Sequence, residues 1–228
     1  VYGNSYVYPL IVDMKYKIDY FDCDNKDFKY YPDVFKSENF LAIKQNIIDF
    51  SFGSKHIFHL HPNSLSNIIS SEMELQENKL DRTYDYSSIV IKYSKTLEQE
   101  IYLFMKTLLK FLIEKNQRIE NVSYSVQSKN YTVKDIFTNK PNFGTYKFIL
   151  KEDIVKTVME SNLDKVLLFF IQKKLVAYIN FIQEIRNETV HGRPATLNEA
   201  NSVRAKILGV AQESVLIELV KNKKMITK

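Results

Sequence analysis

The stretch Ile185-Arg186-Asn187-Glu188-Thr189-Val190-His191-Gly192 holds the residue types in this chain best suited to phosphodiester chemistry. A guanidinium is always charged and can hold two phosphate oxygens at once. An imidazole can move a proton near neutral pH. At a helix C-terminus the protonated imidazolium is favoured by a few tenths to ~1 kcal/mol. With Asn187 as a hydrogen-bonding orienter, Arg186 and His191 suffice for RNA cleavage without a metal. The 2′-hydroxyl would attack the adjacent phosphate, the arginine would stabilise the developing charge, and the histidine would shuttle a proton.

The spacing sets a condition on that chemistry. Five residues advance roughly 500° round an ideal helix, so Arg186 and His191 point about 140° apart. Glu184, Asn187 and His191 share a polar strip, while Arg186 leaves from the shoulder of the apolar stripe. Either the arginine reaches round, or the last turn distorts, or a second copy of the helix completes the site. The last option predicts a homodimer with its cleft across the two-fold axis.

Other candidates carry weaker patterns. Lys173, Lys174, Arg193 and Arg204 are placed either to track an RNA backbone or to solvate outer helix faces. His56, His59 and His61 fall on an expected strand at Lys55–His61, with His59 and His61 on one face and His56 on the other. Zinc needs three or four converging ligands, and no Cys or acidic residue flanks these three at a familiar spacing. They read as ordinary strand histidines, and no metal or cofactor is expected. Cys23 lies in a turn-like acidic stretch with no His nearby. The five glycines form neither a phosphate-cradling loop nor a dinucleotide fingerprint. The tyrosines of residues 1–86 read as packing on a small sheet rather than as base-stacking rings.

The elements that must position Arg186 and His191 follow from apolar periodicity. Val90, Tyr93, Leu97, Ile101, Phe104, Leu108 and Phe111 recur at steps of three and four, which predicts one long helix from about residue 88. Leu167, Ile171, Leu175, Tyr178, Ile182 and Ile185 predict a second, stopped by Gly192 and Pro194. Thr196-Leu197-Asn198-Glu199 is a capping box opening a helix expected to run to about Val220. Residues 116–150 read as a connection with short elements, and Lys151–Glu160 as a short helix. Towards the N-terminus, Val12 to Tyr20 alternate apolar and charged as a half-buried strand does, and Phe28 to Tyr31 could pair with it. A short helix at Asn39–Ile48 completes a small mixed α/β region over residues 1–85, with Gln76–Ser88 as its polar connection. The fold class is therefore mainly α: an antiparallel helical bundle over residues 88–228, preceded by that accessory region.

In this context the sequence resembles the HEPN superfamily, whose signature is Arg, four to six residues, then His late in a helical bundle, often with Asn after the Arg. The resemblance covers about residues 88–221. It includes Lys95-Thr96-Leu97-Glu98-Gln99-Glu100 on the first long helix and Asn142-Phe143-Gly144-Thr145 before a short helix. It implies a four-helix-type core, dimerisation and, in catalytic members, metal-independent endoribonuclease activity. Such domains are common in toxin–antitoxin, abortive-infection and CRISPR-associated systems, so an antitoxin or sensor is an implied partner. By residue-level carry-over Arg186 and His191 are catalytic, Asn187 supports them, and Glu98 is a further supporting candidate. The alternative is a non-catalytic HEPN-like nucleotide-binding or dimerisation module.

Composition bounds these readings. Of the 228 residues, 45% are hydrophobic and 26% charged, the balance of a globular chain. A single cysteine excludes an intramolecular disulfide framework. The longest apolar run, Val166 to Ile171, is far short of the ~20 residues of a membrane span, and the polar, tyrosine-rich start does not read as a signal peptide. A cytoplasmic protein with no membrane partner is the expectation. Val1 in place of a Met is what a trimmed chain or a piece of a larger one would show. The net charge is +5, and residues 161–228 hold eleven basic against six acidic side chains, a surplus equal to the whole net charge. RNA is the anionic partner this favours.

Overall fold

The computed structural model describes residues 38–226 apart from 58, 127, 128, 192 and 211, and leaves the side chains of 38–40, 54, 55, 126 and 187–191 undescribed. The expected strands at 12–20 and 28–31, and Cys23, lie outside these residues.

The described chain is mainly helical. In order come α1 (Glu38–Ile47), α2 (Gly53–Ile57), α3 (Pro62–Asn78), α4 (Ser87–Lys115), the hairpin β1 (Ser123–Val126) and β2 (Lys129–Thr132), α5 (Thr145–Ile149), α6 (Asp153–Asn162), α7 (Lys165–Phe169), α8 (Val176–His191), α9 (Leu197–Leu208) and α10 (Val215–Ile226). Helix α4 is the hub. Helices α3, α8, α9 and α10 all pack on it. Its stripe behaves as its period requires: Val90, Tyr93, Leu97, Ile101, Phe104 and Leu108 are fully buried, and Phe111 packs half-buried at the margin.

Helices α7 and α8 form one rod, joined by a π-helical segment at Phe170–Leu175. The sequence explains the wider turn. Leu167, Ile171, Leu175 and Ile179 are spaced by four, and in an ideal α-helix each such step drifts by about 40°. Widening the turn absorbs the drift and keeps all four buried. Three anchors fix the rod's direction: Phe170 meets Phe104 edge-on at 5.6 Å, Arg186 meets Glu98, and Ala195 accepts a hydrogen bond from the Tyr86 amide at 3.1 Å. The partners descend α4 as the rod advances, so the two run antiparallel.

By length and composition Lys165–Arg186 could cross a membrane, with a mean hydropathy of 1.3 and 33% of it buried. This qualifies the expectation from the short apolar run. Lys173 and Lys174 sit mid-segment, where each would cost about 2.5–3.5 kcal/mol in hydrocarbon. Ile171, Leu175, Ile179 and Ile182 are buried, and we take the segment as a core helix with an uncovered face.

Two expectations are corrected. Residues 53–57 are helical, and Pro62 starts α3 instead of ending a strand. The His61 side chain caps α3 by accepting from the Asn63 amide at 3.1 Å, and Pro is suited to the first helical turn because it lacks only an N–H that would be orphaned. His59 and His61 therefore do not share a strand face, and no cluster able to hold a metal occurs among the described residues. The helix opened by the capping box is two helices. Gly209 ends α9 at φ 81°, in the left-handed region that favours glycine. Ser214 then accepts from the Leu216 amide at 3.2 Å to start α10. Helices near 39–48 and 151–160, and the capping box itself, occur where expected, with Thr196 and Glu199 reciprocally bonded.

Candidate functional site

Arg186 lies on the next-to-last turn of α8, and its Nη1 donates to Oε1 of Glu98 on α4. The two residues are 88 positions apart in sequence and meet across the two longest helical segments. The arginine side chain is 49% exposed and the glutamate 12%. The carboxylate is thus held in the bundle wall, and the guanidinium reaches outward from it. One nitrogen contacts one oxygen, so the pair is not the bidentate fork a structural arginine often makes. Asn187 and His191 ride in the last turns of α8, but their side chains, with Gly192, lie outside the described residues.

Three further side chains lie here, Lys140, Tyr102 and Tyr146. Lys140 places Nζ 5.8 Å from the ring centre of Tyr102, one turn beyond Glu98 on α4. Partial loss of hydration lowers the Lys140 pKa; Glu98 opposes that shift and Arg186 adds to it. Tyr102 is itself fixed by donating to the Ile136 carbonyl at 3.2 Å. Glu100 also acts on Lys140, so Arg186 and Lys140 form a mixed cluster with the carboxylates of Glu98 and Glu100. Tyr146 on α5 completes the floor. It is fully buried, its hydroxyl has no hydrogen-bond partner, and burial raises its pKa, with Tyr102, Tyr124 and Glu98 adding to the rise.

The segment Asn142–Thr145 has a positional reason. A Cβ on Gly144 would stand 2.6 Å from Nε2 of Gln183 on α8, so a larger residue there would push the Gln183 amide out of its present place beside α5. Lys147 then donates to Asn180 at 2.8 Å and Gln183 at 2.7 Å. These contacts fix α5 to α8 one turn before Arg186. Sequence reasoning did not assign Lys140, Tyr102 or Tyr146. Their convergence arises from loops and helix packing, for which linear spacing carries no signal.

The basic residues expected to contact RNA separate into groups. Arg204 lies within the fold: its Nε and Nη2 reach Glu72 at 2.6 and 2.8 Å. Arg193 forks onto Glu199 at 3.0 and 2.7 Å, and Lys174 donates to Glu218. Lys173 is exposed on the π-helical turn. Glu199 and Glu218 are already counted in the charge balance of the C-terminal third, and carboxylates from outside it, Glu72 on Arg204 and Glu98 on Arg186, offset part of its surplus.

Comparison of the chain with protein-family models, with curated proteins and with solved structures gives no match. The likeness to HEPN domains rests on the residues themselves.

Proposed function

We propose that the chain is a metal-independent endoribonuclease of the HEPN type, working as a homodimer in a toxin or antiviral-defence setting. The observation that carries this reading is the Arg186–Glu98 contact. It joins two of the three segments on which the family resemblance rests, and it presents a half-exposed guanidinium at the end of the antiparallel helix pair. Glu98 acts as a positioning residue that aims Arg186. Arg186 holds the non-bridging oxygens of the scissile phosphate. His191 takes the proton of the 2′-hydroxyl as that oxygen attacks phosphorus. The 5′-oxygen leaves with a proton returned by an imidazole, giving a 2′,3′-cyclic phosphate and a 5′-hydroxyl. Asn187 orients these groups. The uncovered face of α7, with Val166 68% and Phe169 58% exposed, suits contact with a second copy, and the dimer that the resemblance implies would supply a second His191.

The non-catalytic module remains the second reading, because an arginine paired to a glutamate also serves as a clamp between helices. RNA incubated with excess chelator separates them. Cleavage with cyclic-phosphate ends, lost in both Arg186→Ala and His191→Ala, is the expected result. Equal cleavage by all three proteins removes the mechanism, and RNA or nucleotide binding without turnover favours the module.

A further inference from the structure

The hairpin and the 139–142 loop enclose a cleft of about 380 Å³ that the catalytic reading does not use. That volume falls in the range of small-molecule sites, roughly 300–1,000 Å³. Tyr124 and Tyr131 stand directly opposite each other on β1 and β2. Their rings stack with centroids 5.7 Å apart and planes 20° from parallel. Tyr124 is buried and Tyr131 half-buried, so the pair forms an aromatic wall whose outer ring reaches solvent. Lys129, Lys140 and Asn142 line the same cleft with cations and a hydrogen-bonding amide. Asp135 also lines it: its Oδ2 accepts from the Thr132 amide at 2.7 Å and the Thr132 hydroxyl at 2.9 Å, which caps the turn Val133–Phe137, and the carboxylate adds one negative charge to the two lysines of the cleft.

Lys140 belongs to two places at once. It lines the cleft, and it shares the charge environment of Arg186 and Glu98. Arg186 and the aromatic wall are therefore linked through one side chain. Single-stranded nucleic acid is bound by this combination: rings that take bases by stacking and cations that track the backbone. Lys106, also beside Tyr102 with Nζ 5.4 Å from its ring centre, extends the cationic side further.

We infer that this cleft is the subsite for one nucleotide of single-stranded RNA next to the bond being cleaved, its base against Tyr131 and its phosphate between Lys140 and Arg186. The inference rests on the ribonuclease reading for the words "bond being cleaved"; the recognition of a nucleoside monophosphate does not.

The test is calorimetric titration of the full chain with adenosine and guanosine 5′-monophosphates, adenosine, inorganic phosphate and a short single-stranded RNA. The RNA arm uses His191→Ala to prevent turnover. The expected order is RNA tighter than monophosphate, and monophosphate tighter than either nucleoside or phosphate. Replacing Tyr131 by Leu keeps bulk and removes the ring; it should weaken monophosphate binding about tenfold or more, while Tyr131→Phe stays within about twofold. Lys140→Ala should weaken binding and lower the salt dependence by about 0.7 in log–log slope, the value of one phosphate contact on a single strand. Phosphate binding as tightly as monophosphate, or folded Tyr131→Leu binding like wild type, overturns the subsite. RNA binding no tighter than monophosphate overturns its place on a strand. If the leucine variant loses its fold, nucleotide-induced shifts of the Tyr131 ring resonances decide instead, and their absence overturns the proposal. The two readings fail separately. Cleavage with an unchanged KM in Tyr131→Leu sinks the subsite alone, and Tyr131-dependent nucleotide binding without cleavage sinks the ribonuclease alone.

Discussion

Arg204 and Arg186 both reach across the molecule to a glutamate on another helix, and the two contacts are built differently. Arg204 on α9 forks onto Glu72 on α3 with two nitrogens on two oxygens, and the Tyr93 hydroxyl of α4 donates to the same carboxylate. Side-chain exposure is 31% for this arginine and 8% for its glutamate. The contact thereby ties three helices together, and burial holds the Tyr93 hydroxyl protonated as a donor. Arg186 touches Glu98 through one nitrogen, is half-exposed, and stands beside a second cation, Lys140. A satisfied fork has little left to offer a ligand. A single contact on a half-exposed guanidinium leaves donors for one. Residue type did not distinguish these arginines in the sequence; partner geometry does.

That contrast is broken most directly by truncating both. Arg204→Ala leaves the Glu72 carboxylate buried without its counter-ion, which should cost about 3 kcal/mol. At roughly 2–4 °C per kcal/mol for a chain of this length, melting should fall by about 10 °C. Arg186→Ala removes a half-exposed contact and should cost less than about 1 kcal/mol. Thermal unfolding of the two variants in parallel is the measurement. Equal losses would mean that Arg186 is structural as well.

Activity should reverse the order. Arg186→Ala and His191→Ala should each slow RNA cleavage by about 100-fold or more with melting little changed. Arg204→Ala, assayed well below its melting point, should cleave within a few-fold of wild type. A collapse of activity in folded Arg204→Ala would show that the buried pair transmits to the site.

How far the sequence led differs between the same two regions. The long stripes on α4 and α8 were legible because burial on one face imposes a period, and Leu97, Ile101 and Ile182 carry it visibly. The capping box was legible because the contact is local. Gly209 is hidden as a break, because Val203, Ile207, Val215 and Leu219 place apolar residues on both sides of it. The short run Lys55 to His61 reads equally as strand or helix, and the signal that separates them is the Pro at the first position of α3. For the site, the stretch Arg186 to His191 was visible as residue types. Glu98 came only from family resemblance. Lys140 and Tyr146 had no linear signature, because the packing of α5 against α8 brings them there.

Tyr146 sharpens the comparison from the floor of the site. In the Arg204 region the buried hydroxyl of Tyr93 is bonded to Glu72, and near Arg186 the buried hydroxyl of Tyr146 has no partner. An unsatisfied buried donor costs about 1–3 kcal/mol. Tyr146→Phe should therefore leave stability unchanged or raise it by about 1 kcal/mol, whereas Tyr93→Phe should lower it by a similar amount. Urea unfolding of both variants measures this. A destabilised Tyr146→Phe would point to a water or ligand that bonds the hydroxyl in solution.

The smallest effect concerns a third arginine–glutamate contact, Arg193–Glu199, which shares the fork of Arg204 and the exposure of Arg186. The Arg193 guanidinium, with the Thr196 amide and hydroxyl, holds the Glu199 carboxyl down to about 2. Because that lies below the usual 4.5, the stabilisation is complete above about pH 4.5 and fades as the pH falls towards 2. Solvent screens a contact this exposed, so Glu199→Gln should cost only about 0.5 kcal/mol at neutral pH. The gap between variant and wild type should close on acidification through that window, and not on going alkaline. A gap of several kcal/mol would show that fork geometry alone makes a contact structural. A gap near zero at neutral pH would assign the strength of the Arg204 contact to burial, the property that also separates it from Arg186.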